Sequence, residues 1–189
     1  MNKKMIKSIL KRLPKVEMKY FDSELLVQPS NTGLTANTGN IVQGTGAFDR
    51  IGRVINLKHI SARALITKDS LASSSSIRFL LCYEKVPDGI NPTIAHVLKN
   101  PAVNALRNLN ETKQIRVLYD RTYTLNDNMP SRLIKINKKL NHQRRYGATA
   151  TSGAFSDVEI GNLFWCIITD NASNYSTVDM DFRLRYTDG

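Results

Sequence analysis

Two clusters of basic side chains are the groups in this chain whose type and spacing point to chemistry, and that chemistry is the holding of a polyanion. The first is the opening stretch MNKKMIKSILKRLPKVEMK, where Lys3, Lys4, Lys7, Lys11, Arg12, Lys15 and Lys19 stand against the single acid Glu17. The second is 128–156, which lacks Asp and Glu and carries Arg132, Lys135, Lys138, Lys139, Arg144 and Arg145. Each stretch nets +6 in a chain of formal charge +11, so the rest is close to neutral. Such concentrated charge indicates binding rather than a generally basic protein. Lysines act on phosphates as point charges and read no bases. The candidate contacts are Lys3, Lys4, Lys7, Lys11, Arg12 and Lys15 in the first cluster, and Lys135, Lys139, Arg144 and Arg145 in the second.

Other chemistries find little support. His59, His96 and His142 are scattered, and Gly44-Thr45-Gly46 lacks the third glycine and the strand-to-helix setting of a nucleotide fingerprint. No catalytic constellation is expected. Cys82 and Cys166 each sit in an apolar, strand-like run and are expected as buried free thiols. No apolar run approaches the roughly 20 residues of a membrane span, and the start of the chain lacks the h-region of a secretory signal. A mitochondrial presequence competes for the basic stretch, but those are rich in Arg and Ser, and this one is mostly Lys.

The elements that must position these clusters follow from hydrophobic spacing. Ile6, Ile9, Leu10 and Leu13 recur at helical spacing opposite Lys3, Lys4, Lys7, Lys11 and Lys15, and Pro14 ends the pattern. This predicts a short amphipathic arm, residues 1–19, ahead of a domain over 20–189. The domain reads as strands. Residues 51–68 switch parity near Lys58–His59, which predicts a bulge. IRFLLCYEKV (77–86) and VEIGNLFWCIIT (158–169) are apolar on both faces. Residues 113–125, 132–142 and 177–186 alternate with period 2. Weaker strands are expected near 20–28 and 144–150, and 29–46 reads as an irregular connection. Between the strands, Asn91-Pro92 and Asn100-Pro101 predict two short helices or one kinked one. Phe79, Tyr119, Tyr123 and Trp165 are expected in the core. The sum is an all-β protein, an eight-stranded single jelly-roll sandwich with a short helical insertion and a basic N-terminal arm.

At this length and order the residues show a family likeness. The basic arm runs into Val16-Glu17-Met18-Lys19-Tyr20-Phe21-Asp22; Gln43-Gly44-Thr45-Gly46 and Arg50-Ile51-Gly52-Arg53 follow. Then come Arg78-Phe79, the turn over 85–92, Asp120, Tyr146-Gly147-Ala148-Thr149-Ala150 and the terminal Tyr186-Thr187-Asp188-Gly189. The pattern resembles the single-jelly-roll capsid proteins of circular Rep-encoding single-stranded DNA viruses, which are similar to the coat protein of satellite tobacco necrosis virus. The resemblance implies a homo-oligomeric icosahedral shell of about 60 copies, a single-stranded genome held by the arm, and a place in the virion with passage through the host nucleus during assembly. The Lys-Tyr-Phe-Asp stretch favours DNA; the short, Lys-rich arm is closer to a satellite-type RNA virus coat, which is the alternative. Asp188 matches an aspartate that helps bind calcium between subunits in the satellite-virus relative. A host glycan or other polyanion on the outer surface is a further expected partner, and a non-viral jelly-roll glycan-binding module with a basic tail is the competing reading.

Overall fold

The computed structural model describes residues 17–189. Among the described residues the strands are β1 (Lys19–Val27), β2 (Leu34–Asn37), β3 (Val54–Thr67), β4 (Ser74–Glu84), β5 (Ile115–Asn126), β6 (Ser131–Tyr146), β7 (Val158–Ile160), β8 (Asn162–Thr169) and β9 (Thr177–Asp188). They form a five-stranded sheet in the order β1-β9-β3-β6-β7 and a four-stranded sheet in the order β2-β8-β4-β5. The antiparallel pairs β1·β9, β2·β8, β3·β6 and β4·β5 nest one inside another. A chain paired that way is one long hairpin wrapped into two layers, which is the jelly roll. Seven of the eight expected strands are present; β2 was not expected, and β7 is a three-residue strand beside the end of β6.

Between the layers lies a core of alternating side chains from both inner faces. It includes Ile60, Ala62, Ala64 and Ile66 of β3, Phe79 and Leu81 of β4, Trp165 of β8 and Phe182 and Leu184 of β9. The bulge expected at Lys58–His59 is where the β3 register shifts, between Leu57 and His59. It lets Ile55 and Leu57 point to the same core as Ile60 and Ala62.

β4 and β8 are apolar on both faces because both are covered. Their second face, Leu80, Cys82, Phe164, Cys166 and Ile168, packs against Ile94, Val97, Leu98 and Ala105. These come from the insertion between β4 and β5. Only one turn of it is α-helical, α1 (Ile94–Val97), capped by Thr93, whose amide donates to His96 Nδ1 at 2.9 Å. The cap falls two residues later than Asn91, and the expected second helix is replaced by turns and a 3-10 turn at Leu109–Glu111. Pro101 and the polar Asn100 and Asn104 support turns there better than a helix that nothing extends.

Three further boundaries differ from the sequence reading. The connection over 29–46 contains β2. β6 runs on to Tyr146, absorbing the strand expected near 144–150. The run over 158–169 is cut at Gly161, whose φ of +79° and close approach to Gln143 O exclude any side chain.

Candidate nucleic-acid interface

The antiparallel registers set residues of four strands side by side on the outer face of the five-stranded sheet. Across β1, β9, β3 and β6, one row reads Tyr20, Arg185, His59, Lys139, and the next Asp22, Arg183, Ser61, Asn137. Then follow Glu24, Asp181, Arg63, Lys135, and finally Leu26, Asp179, Leu65, Leu133. The face is therefore graded. The first row carries two unopposed cations, the middle rows balance, and the last is apolar with one acid. A shallow groove of about 690 Å³ crosses the middle rows, lined among others by Arg63, Lys135, Arg183 and Arg185.

The first row is also where the arm joins. β1 begins at Lys19, one position before the expected domain start at residue 20, so Lys19 belongs to the sheet rather than to the arm. Its buried ammonium pairs with Asp188 Oδ2 at 2.9 Å and donates to Asp49 O at 2.7 Å. Tyr20 stands 37 % exposed. The guanidinium carbons of Arg183 and Arg185 each lie 5.7 Å from its ring centroid. Arg183 is further fixed by a two-point contact with Asp22, at 2.7 and 2.5 Å, and these hydrogen bonds hold the Asp22 carboxyl below the usual range. Burial, helped by the Arg185 charge, pushes the His59 pKa down, so the imidazole is neutral at pH 7.

The residues singled out in the sequence divide as follows. Lys3, Lys4, Lys7, Lys11, Arg12 and Lys15 lie outside the described residues. Lys135 and Lys139 are exposed on the outer face of β6. Arg145 is about half exposed, but its Nε meets Glu159 Oε2 at 3.0 Å, so part of its charge is spent within the chain.

Arg144 is a correction. It is fully buried, with Nε donating to Gly161 O at 3.2 Å and Nη1 to Gly39 O at 2.9 Å. It has the inward parity of Ile134, Ile136 and Leu140, a signal already present in the sequence. The site it helps build is structural, since a guanidinium used on two buried carbonyls is not available to phosphate.

Asp188, matched to an aspartate that helps bind calcium between subunits, is already partnered within this chain. Its Oδ2 is neutralised by Lys19, and its Oδ1 accepts the Ile51 amide at 3.1 Å. No group of three or more His, Cys, Asp or Glu converges to hold a metal among the described residues. A carboxylate already paired with an ammonium is a poor ligand for a hard cation that wants several oxygens.

The sequence reading missed Tyr20, Arg63, Arg183 and Arg185 as members of one surface. Arg183 and Arg185 were legible as outward on their strand, but only the pairing of β9 between β1 and β3 brings them beside Lys135 and Lys139.

Comparison with known proteins follows the same line. The chain is 23% identical over 198 residues to the coat protein of Maize white line mosaic Satellite virus, covering 99% of this chain and 89% of that one. Among solved structures, that of Desmodium yellow mottle tymovirus aligns with a TM-score of 0.38 at 10% identity, covering 93% of this chain and 89% of that one. That of infectious bursal disease virus Gx strain aligns at 0.34 and 10%, covering 91% and 32%. Scores that low carry no argument, and the fold rests on its own topology. The satellite-virus side of the resemblance is supported; the circular Rep-encoding DNA-virus side, with its DNA genome and nuclear passage, is not, and neither is a glycan partner. A profile of the satellite tobacco necrosis virus coat protein family matches residues 1–189, and the chain belongs to that family.

Proposed function

We infer that this coat protein assembles into the smallest icosahedral shell and packages single-stranded RNA, with its arm and the cationic rows of the five-stranded sheet facing the genome. The observation that carries this is a coincidence of place. The row Tyr20, Arg185, His59, Lys139 lies at the end of the sheet where the basic arm leaves it. The basic stretch thus begins beside the row's own cations. An exposed tyrosine flanked by two guanidiniums adds a sequence-tolerant stacking platform, the device by which proteins hold unpaired bases. Satellite-type relatives favour RNA over the DNA expected from the Lys-Tyr-Phe-Asp stretch.

The charge suits the task. Sixty copies at +11 bring roughly 660 positive charges, enough to neutralise much of a genome on the order of a thousand nucleotides. Binding of this kind is salt-sensitive and indifferent to sequence. Particles purified from expressing cells, stripped of outer nucleic acid and then extracted, test the reading. The released polymer is expected to be destroyed by RNase and to survive DNase. A DNase-sensitive polymer, or particles without 260 nm absorbance, overturns it.

A further inference from the structure

The leucine end of the same sheet has no occupant among the described residues. Leu26 is 72% exposed, Leu133 57% and Leu65 44%. They share one cross-strand row, with Asp179 between Leu26 and Leu65. One row nearer the cationic end, Glu24 faces Asp181 directly across β1 and β9. Like charges so placed destabilise a sheet. Neither they nor Asp179 has an ion-pair partner among the described residues. A single exposed leucine needs no explanation, but here three stand in one row, with Asp179, Glu24 and Asp181 gathered on its β1–β9 side and Arg63 and Lys135 confined to the β3–β6 side, so the β1–β9 half is complementary to something at once apolar and cationic. Residues 3–13 of this chain have that composition, with Ile6, Ile9, Leu10 and Leu13 opposite a lysine face.

We propose that, in the chain free of nucleic acid, the arm folds back and docks its isoleucine and leucine face on the row of Leu26, Leu65 and Leu133. Its basic residues then lie over the acids beside that row. The lengths agree. Tyr20 and Leu26 mark the two ends of the graded face, about 20 Å apart along β1. Residues 3–18 reach about 50 Å when extended, enough to reverse direction and return over the length of β1. The arm is rooted on this sheet, so its local concentration there far exceeds that of a neighbour's arm in dilute solution. The docking rests on the proposed function only in one consequence: RNA and the leucine row compete for the same segment, so RNA releases it.

The test uses the full chain, dissociated, stripped of nucleic acid and kept below the assembly concentration. Cys82 and Cys166 are buried, so a Ser8→Cys variant takes a nitroxide label at the arm. The methyl resonances of Leu26, Leu65 and Leu133 are expected to broaden, while those of Leu106 and Leu109 on the insertion stay sharp. An unstructured oligoribonucleotide is expected to restore them. Absence of broadening overturns the proposal, as does broadening seen only when spin label and isotope label are on different chains. Broadening that saturating RNA leaves in place supports the docking and overturns the RNA role of the arm instead. The second variant, Leu65→Gln with Leu133→Gln, alters exposed positions and no charge. If the arm is docked in 80–90% of molecules, as an order of magnitude, its release raises RNA affinity about five- to tenfold at low salt. An unchanged affinity overturns the proposal.

Discussion

Arg144 and Lys139 share a strand and a charge and act in opposite ways. Arg144 ties β6 to Gly161 and Gly39 from inside, so Arg144→Ala leaves two buried carbonyls without their donor. The expected cost is about 3 kcal/mol, read as a lower midpoint in urea. Lys139 faces solvent, and Lys139→Ala is expected to leave that midpoint within about 0.5 kcal/mol. It instead lowers the slope of log affinity for single-stranded RNA against log salt by about 0.7. His59 lies in the same row as Lys139 and adds a pH dependence. Its folded pKa is depressed by burial and by Arg185, so the stability it contributes is present above its unfolded value of about 6.5 and is lost as pH falls below it. Phosphate near Arg185 acts the other way and raises the His59 pKa. RNA affinity is therefore expected to rise between pH 7.5 and 5.5 while the RNA-free protein loses stability. Titration of the His59 C2 proton with and without RNA checks the sign, and an RNA-independent midpoint excludes His59 from the interface.

At the scale of elements, the insertion between β4 and β5 is fastened by one charge cluster built on the buried Arg78. Arg78 donates Nε and Nη2 to Asp120 at 2.8 and 2.9 Å. Its Nη1 holds the carbonyls of Val103 and Ala105, and Arg107 adds a third contact to Asp120 at 3.3 Å. Burial alone would raise the Asp120 pKa; the hydrogen bonds and charge of Arg78, with those of Arg107, outweigh it and hold it below the usual range. The depressed value means that this contribution is complete above the unfolded pKa near 4 and disappears as pH falls through the folded one. Asp120→Ala strands the buried Arg78 guanidinium and is expected to cost about 3 kcal/mol, with early amide exchange over the insertion and the second face of β4 and β8. Much of this was legible in the sequence. Leu80, Cys82, Phe164 and Cys166 at the wrong parity for a one-sided strand require a cover, and the insertion is the segment available to supply it. What the sequence withheld was long-range: Arg78 and Asp120 meet only because β4 pairs with β5, and no period in either strand reports a partner. Gly161 was hidden for another reason, because an apolar run reads through a glycine unless its φ is known.

For the whole molecule, the nested pairing places both ends of the domain on one sheet, β1 beside β9, and clamps that corner with Lys19 and Asp188. The arm therefore enters from a rigid point that does not depend on residues 1–15. Removing those residues takes away Lys3, Lys4, Lys7, Lys11, Arg12 and Lys15, while Lys19, Arg185 and Lys139 stay in place. The domain is expected to fold without that stretch, because the Lys19–Asp188 corner stays in place, with a thermal midpoint lowered only by the loss of the docked arm. Assembly is expected to persist, because the remaining chain at near +5 repels its copies less than the full chain does. Packaged RNA should fall by about half, in proportion to the positive charge removed, and the particles should release it at lower salt. Absorbance at 260 and 280 nm on sedimented particles measures the first effect, and RNase sensitivity across a salt series the second. Full RNA content after the deletion would assign packaging to the sheet alone, and a chain that no longer sediments as particles would make the arm an element of assembly.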